Sequence, residues 1–110
     1  MIYNKLVRDK IPEIIAQQGK SVSFRALQGD ELKKALKDKL IEEVQELVNA
    51  ETEEEIIEEI ADVLEVLSFI QHMFVKIGIP DPVKEKQKEK AANKGSFRRG
   101  YFLESVGEEK

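Results

Sequence analysis

Two groups of acidic residues in the middle of the chain have the spacing that would let them bind a metal ion together. The first group reads E-E-x-x-E and comprises Glu42, Glu43 and Glu46. The second reads E-x-x-D and comprises Glu59 and Asp62, and twelve residues separate the two groups. Residues three or four positions apart share one face of a helix. Each group would therefore present neighbouring carboxylates, which are hard oxygen ligands suited to divalent cations.

The position of these carboxylates relative to the apolar residues strengthens the metal interpretation. On a helical wheel Glu43 falls inside the apolar stripe of its helix, Glu46 lies at its edge and Glu42 lies further off. Glu59 and Asp62 fall inside the broad apolar arc of the following helix. Because an uncompensated buried charge is costly, such a cluster favours bound cations or protons. We therefore favour a divalent metal site over a group of acidic residues between the helices that binds no ion.

Helix-start and helix-end signals predict four helices. The first runs from residues 10–12 to about Gly19, and the second from an N-cap at Asp30 to about Ala50. The third begins with a capping box at Thr52 and Glu55 and ends at Gly78. The fourth begins at Asp81 and Pro82 and ends at Gly95. Residues 22–27 alternate in polarity, which leaves a β-segment and an extended loop open. Residues 107–110 are expected to form a disordered tail.

This order of elements predicts an all-α fold, a four-helix, bundle-like architecture with two long antiparallel central helices. The short connection near Glu51 and Thr52 would bring the two acidic groups together. The third helix is apolar around more than half of its circumference, which one neighbouring helix cannot cover. We therefore expect a homo-oligomer, either a homodimer or a homotetramer.

Composition limits the remaining possibilities. A chain of 110 residues with 41% hydrophobic residues predicts a single domain spanning 1–110. The absence of cysteine excludes disulfides and thiolate metal sites. A net charge of −4 argues against a general nucleic-acid binder. With neither a signal-peptide pattern nor an apolar run of membrane-spanning length, we expect a cytoplasmic protein with no membrane partner.

Two further segments extend the pattern to nearly the whole chain. Residues 3–12 read Y-N-K-L-V-R-D-K-I-P and residues 94–97 read K-G-S-F. Together with the acidic spacing, they make the chain resemble the MazG-like all-α nucleoside triphosphate pyrophosphohydrolases, in particular a subgroup of predicted house-cleaning enzymes. The resemblance implies a four-helix oligomer that removes non-canonical nucleotides by cleaving the bond between the α- and β-phosphates. The products would be a nucleoside monophosphate and pyrophosphate.

The resemblance also implies roles for the acidic residues. Glu43, Glu46, Glu59 and Asp62 would bind Mg²⁺, for which Mn²⁺ could substitute. Glu42 and Glu43 would be the catalytic carboxylates, with Glu42 serving through a second ion or as the base that orients water. Such a metal would neutralise triphosphate charge and acidify the attacking water.

Basic residues at both ends of the chain are candidate phosphate ligands. Lys5, Arg8 and Lys10 could form only a solvated N-terminal segment, but the resemblance favours binding of the nucleotide triphosphate. Lys94 is a further candidate for phosphate, and Phe97 for the base, although Phe97 could equally be a core anchor. His72, the only histidine, falls on the polar side of its helix and is not expected to be catalytic.

Two alternatives remain open from the sequence. A phosphoribosyl-ATP pyrophosphohydrolase shares the helical carboxylate design, and a non-catalytic helical interaction module would use the acidic residues only for solubility. The base, the sugar, the physiological substrate, the number of metal ions and the choice of dimer or tetramer are likewise open.

Overall fold

The computed structural model describes residues 3–76 and 78–107, which form helices joined by irregular segments. The helices are α1 (Ile11–Gln17), α2 (Gly29–Asn49), α3 (Glu53–Phe74) and α4 (Pro82–Lys94). No strand occurs within these two ranges, so the all-α prediction is confirmed and residues 22–27 are irregular. Of the predicted disordered tail, Gly107 is irregular and exposed, and residues 108–110 lie outside the described residues.

The start of α3 has the predicted cap, whereas its end differs from the prediction. Thr52 Oγ1 accepts a hydrogen bond from the Glu55 N–H over 3.1 Å, and Glu55 Oε2 accepts from the Glu51 N–H over 3.2 Å. The helix ends at Phe74, so the predicted end at Gly78 is wrong. Val75 is already extended, with φ −123° and ψ 136°, a conformation that β-branched side chains favour.

The start of α2 also corrects a prediction. Its N-cap is Gln28, whose carbonyl accepts from the Leu32 N–H, and not Asp30. Gly29 has a φ of 57°, in the left-handed region that glycine adopts without a steric penalty, and the helix begins there. Asp30 therefore lies in the first turn, where its charge complements the positive end of the helix dipole.

The predicted boundaries of α4 are confirmed. Asp81 Oδ1 accepts from the Val83 N–H over 2.9 Å and from the Lys84 N–H over 3.4 Å. Gly95 follows the helix with a φ of 84°, which makes it the expected C-terminal glycine. Every residue of α4 is exposed.

Helices α2 and α3 pack against each other as an antiparallel hairpin. Near the open end, the ammonium groups of Lys33 and Lys37 on α2 lie 5.2 and 4.8 Å from the centre of the Phe74 ring on α3. The buried apolar residues of the described chain are Leu36 on α2 and Val66 on α3. The hairpin thus has a narrow apolar core, which holds the two helices in fixed register.

The chain forms two compact units. Residues 3–76, with α1 to α3, belong to one, and residues 78–107, with α4 and the segment after it, belong to the other. The single-domain organisation stays a prediction. Among the described residues, no helix combines the length and the apolar character that crossing a membrane requires.

Candidate metal centre

Three of the predicted metal ligands come together between α2 and α3. One carboxylate oxygen from each of Glu43, Glu46 and Glu59 lies within 4.8 Å of the others. Glu43 and Glu46 are one turn apart on α2, and Glu59 lies on α3. The antiparallel hairpin brings the two helices' contributions together, because the chain reverses at residues 50–52.

A shared helical spacing explains why two of these carboxylates point into the interface. Glu43 lies seven residues after the buried Leu36, and Glu59 lies seven residues before the buried Val66. Seven residues are close to two helical turns, so each carboxylate lies on the same helix face as a core residue. Glu43 is only 6% exposed, which makes it the buried charged residue of the described chain.

The donor set suits a hard cation. Glu43 Oε2 and Glu59 Oε2 are both buried without a hydrogen-bond partner. A buried acceptor that lacks a donor loses its hydration without compensation, which is costly for a carboxylate. Three carboxylates that share a small volume and keep two unsatisfied oxygens match the ligand preference of Mg²⁺ or Mn²⁺.

The same crowding changes the proton affinity of Glu59. Burial, and then the neighbouring carboxylates of Glu46 and Glu43, raise the pKa of Glu59 to about 7. Each of these causes disfavours the charged form. Without a cation, the cluster therefore binds a proton at neutral pH far more readily than an isolated glutamate would.

Two lysines balance the charge on the α2 side of the cluster. Lys39 Nζ lies 3.4 Å from Glu43 Oε1 and 3.5 Å from Glu42 Oε1. Lys5 Nζ, from the N-terminal segment, lies 3.4 Å from the same Glu42 oxygen. Lys39 was not among the residues predicted from the sequence, although its position three and four residues before the two glutamates places it on their helix face.

Asp62 has a different partner from the other predicted ligands. Its Oδ1 accepts a hydrogen bond from Arg8 Nη2 over 2.8 Å, and Arg8 Nη1 donates to Glu65 Oε2 over 3.2 Å. The hydrogen bond to Asp62 also raises the pKa of Arg8. Arg8 thus links the N-terminal segment to two carboxylates of α3. The metal-ligand role of Asp62 stays a prediction, and the pair with Arg8 would compete with it.

The remaining candidates lie at other positions. Lys10 is exposed at the N-cap of α1. Lys94 ends α4 and Phe97 is 98% exposed in the segment that follows, so both belong to the second unit. Phe97 is thus not a core anchor within that unit. His72 is exposed on α3.

Comparison with known proteins gives two matches. A family model described as the MazG nucleotide pyrophosphohydrolase domain matches residues 31–90, more than half of the chain. An uncharacterized protein of Mycolicibacterium smegmatis (strain ATCC 700084 / mc(2)155) is 46% identical over 54 residues, which cover 49% of this chain and 55% of that protein. The chain thus spans about half the length of this relative. No solved structure matches.

Proposed function

The chain belongs to the MazG nucleotide pyrophosphohydrolase family, and from this premise we propose that it is a Mg²⁺-dependent nucleoside triphosphate pyrophosphohydrolase. The bond between the α- and β-phosphates is broken by water, and the products are a nucleoside monophosphate and pyrophosphate. The observation that carries the proposal is the cluster of Glu43, Glu46 and Glu59, in which two buried carboxylate oxygens lack a hydrogen-bond partner.

Residues of α2 and α3 would hold the cation. Glu43, Glu46 and Glu59 supply three carboxylates from the two helices, and Asp62 adds a fourth once Arg8 releases it. When bound, Mg²⁺ neutralises phosphate charge and increases the acidity of water. The helical hairpin fixes these carboxylates before the substrate arrives, which suits a reaction that depends on positioning and charge stabilisation.

Glu42 and the basic residues would act on water and on the phosphates. Glu42 adjoins the cluster at its α2 side, where it can orient water as a base or support a second ion. Lys5 and Arg8 already reach this site, which supports their role as triphosphate ligands. Lys10 extends the same basic segment. Lys94 remains a proposed phosphate ligand, and Phe97 a proposed contact for the base.

We assign the biological role to house-cleaning, the removal of non-canonical or surplus nucleotides. The residues proposed to carry the chemistry would contact phosphates and a metal, and neither of these contacts selects a base. The deciding experiment is a panel of canonical and modified nucleoside triphosphates, together with phosphoribosyl-ATP, assayed with Mg²⁺ for pyrophosphate and orthophosphate. Metal-dependent release of pyrophosphate supports the proposal. Orthophosphate alone, or full turnover in EDTA, contradicts it.

A homo-oligomer is the proposed working form. After α2 and α3 have packed, α3 still exposes large apolar side chains, among them Ile57 at 60%, Leu64 at 59% and Phe69 at 51%. Exposed apolar surface of this kind is a common basis for subunit contacts. A second copy of the chain would cover it, either as a homodimer or within a homotetramer.

A non-catalytic interaction module would behave differently towards metal. A folded protein that binds a cation is stabilised by mass action, whereas an acidic surface without a site is not stabilised in this way. Thermal unfolding with and without Mn²⁺ therefore separates the two classes before any substrate is known.

A further inference from the structure

Lys39 is unusually covered for a lysine. Its side chain is 20% exposed, whereas the side chains of Lys5, Lys34 and Lys86, which also form ion pairs, are between 52% and 80% exposed. Covering a charged ammonium costs hydration free energy, so partners must compensate it. Those partners are carboxylates of the candidate metal centre.

The two oxygens of the Glu43 carboxylate have different surroundings, because Lys39 forms an ion pair with one of them and the other lacks a hydrogen-bond partner. Lys39 Nζ is 3.4 Å from Glu43 Oε1, while Glu43 Oε2 is buried and has no hydrogen-bond partner. The same ammonium lies 3.5 Å from Glu42 Oε1. One positive charge is thus shared by two adjacent glutamates, and one of these belongs to the three-carboxylate cluster.

We propose that Lys39 is a positioning residue that serves as the built-in counter-cation of the carboxylate site. It holds Glu43 and Glu42 in place when no metal is bound, and it opposes metal binding by its own positive charge. This inference rests on the proposed metal site but concerns a residue that the metal and phosphate assignments leave without a role. Lys39 thus allows the hairpin to fold without a bound metal ion, and it lowers the affinity of the site for free divalent cation.

If Lys39 is the counter-cation, its removal must change the stability of the metal-free protein and the affinity for metal in opposite directions. Removing the ammonium leaves Glu43 without a cation beside Glu46 and Glu59, and leaves Glu42 with Lys5 alone, so the metal-free protein must lose stability. The bound cation no longer meets a nearby positive charge, so its affinity must rise. If Lys39 only packed within the helical hairpin, or only oriented Glu43 for the metal, its substitution would lower stability without increasing the affinity for metal.

The test compares Lys39→Met with Lys39→Arg and with Lys34→Met. Lys34 is a matched control, because it forms a lysine–carboxylate pair at i,i+4 on the same helix, with Asp38, but on an exposed face. Thermal unfolding in EDTA and calorimetric titration with Mn²⁺ are measured for each variant. We expect Lys39→Met to lower the metal-free Tm more than Lys34→Met and to bind Mn²⁺ about tenfold more tightly than the wild type. Lys39→Arg should keep the wild-type values for both.

Each outcome bears on the proposal. An Mn²⁺ affinity of Lys39→Met that is unchanged or weaker overturns it, as does a metal-free Tm equal to that of Lys34→Met. If Lys39→Met is unfolded in EDTA, recovery of the fold by adding Glu43→Gln supports the counter-cation role, because the unpaired buried charge has then been removed. Failure of Glu43→Gln to restore the fold overturns it. A wild type that binds no Mn²⁺ would instead contradict the proposed function, and the metal-free comparison would still test Lys39.

Discussion

Arg8 donates a hydrogen bond to Asp62 over 2.8 Å, which joins a predicted phosphate ligand to a predicted metal ligand. A metal–nucleotide complex would compete with this pair, because it offers the carboxylate a cation and the guanidinium an anion. The pair is about half exposed, with side-chain exposures of 54% and 36%, so water competes with it and opening it costs little. Triphosphate and metal together can therefore replace it, because each partner gains an opposite charge.

Arg8→Met should impair substrate binding far more than folding. We expect the KM for the nucleotide to rise about tenfold or more, because a charge-assisted contact to phosphate is lost. The metal-free Tm should change by only a few degrees, since the pair is exposed to solvent. Steady-state kinetics and thermal unfolding check the two effects.

A matched control is Arg25→Met. Arg25 also forms an exposed ion pair over 2.8 Å, with Glu31, but away from the carboxylate cluster. Its substitution should leave the KM unchanged. Equal effects of the two substitutions on KM would remove Arg8 from substrate binding.

Substitution of the cluster carboxylates should abolish turnover without unfolding the chain. Residues that only support metal ligands already contribute about 10- to 100-fold, so Glu46→Gln should lower kcat/KM by more than about 100-fold. Its metal-free Tm should be equal to or higher than that of the wild type, because one of several like charges has gone. His72→Ala should keep wild-type turnover. Wild-type rates in Glu46→Gln would exclude that residue from the site.

Asp62→Asn tests the fourth ligand separately. If Asp62 joins the metal after Arg8 leaves, this variant should also lose turnover and should bind Mn²⁺ more weakly in a calorimetric titration. Glu65→Gln is its control, because Glu65 accepts from the same arginine but was not predicted to be a ligand. Equal Mn²⁺ affinities for Asp62→Asn and the wild type would show that Asp62 serves only as the partner of Arg8.

Helical periodicity predicted the central part of this site, because the residues on the buried face of a helix recur with the helical period. Glu43 fell inside the apolar stripe on the wheel, and it is the buried charged residue of the described chain. Capping chemistry likewise predicted the start of α3 at Thr52 and both ends of α4. These features depend on residues a few positions apart, whose geometry the helix itself determines.

Features that depend on distant residues could not be predicted in this way. The partner of Asp62 is Arg8, which lies 54 residues earlier in an irregular segment where no periodic pattern applies. Lys39 has a local signal in its i,i+3 and i,i+4 spacing, yet that spacing alone does not distinguish a covered lysine from a solvated one. The end of α3 at Phe74 was missed because Val75 leaves the helix before the glycine signal at Gly78 is reached.

The metal-free protein should lose stability as pH rises towards neutrality. The pKa of Glu59 is about 7 in the folded chain against an ordinary value of 4.5, so between these values the folded form keeps a proton that the unfolded form releases. The stabilisation that this proton contributes to the folded state is fully present below pH 4.5 and is lost as pH rises through 7. Thermal unfolding in EDTA across this range should show the decline, and Glu59→Gln should abolish that part of it.

Metal binding should show the opposite dependence on pH. Protons and cations compete for the same carboxylate, so the affinity for Mn²⁺ should increase until Glu59 is ionised, above about pH 7. Glu54→Gln, at an exposed position of the same helix, is the control and should keep the wild-type dependence. An Mn²⁺ affinity that does not change between pH 5.5 and 8 would contradict a role for Glu59 as a ligand.

The exposed apolar surface of α3 predicts that the chain forms a stable homo-oligomer. Phe69 is 51% exposed on this helix although its ring is large and apolar. Phe69→Glu would place a charge in the proposed subunit contact, where it could not be hydrated, and should dissociate the assembly or unfold it. Gln87→Glu is the control, because it adds the same charge at an exposed position of α4, outside α3. Light scattering at micromolar concentration should report an oligomer for the wild type and for Gln87→Glu but not for Phe69→Glu, and a monomeric wild type would defeat the proposal.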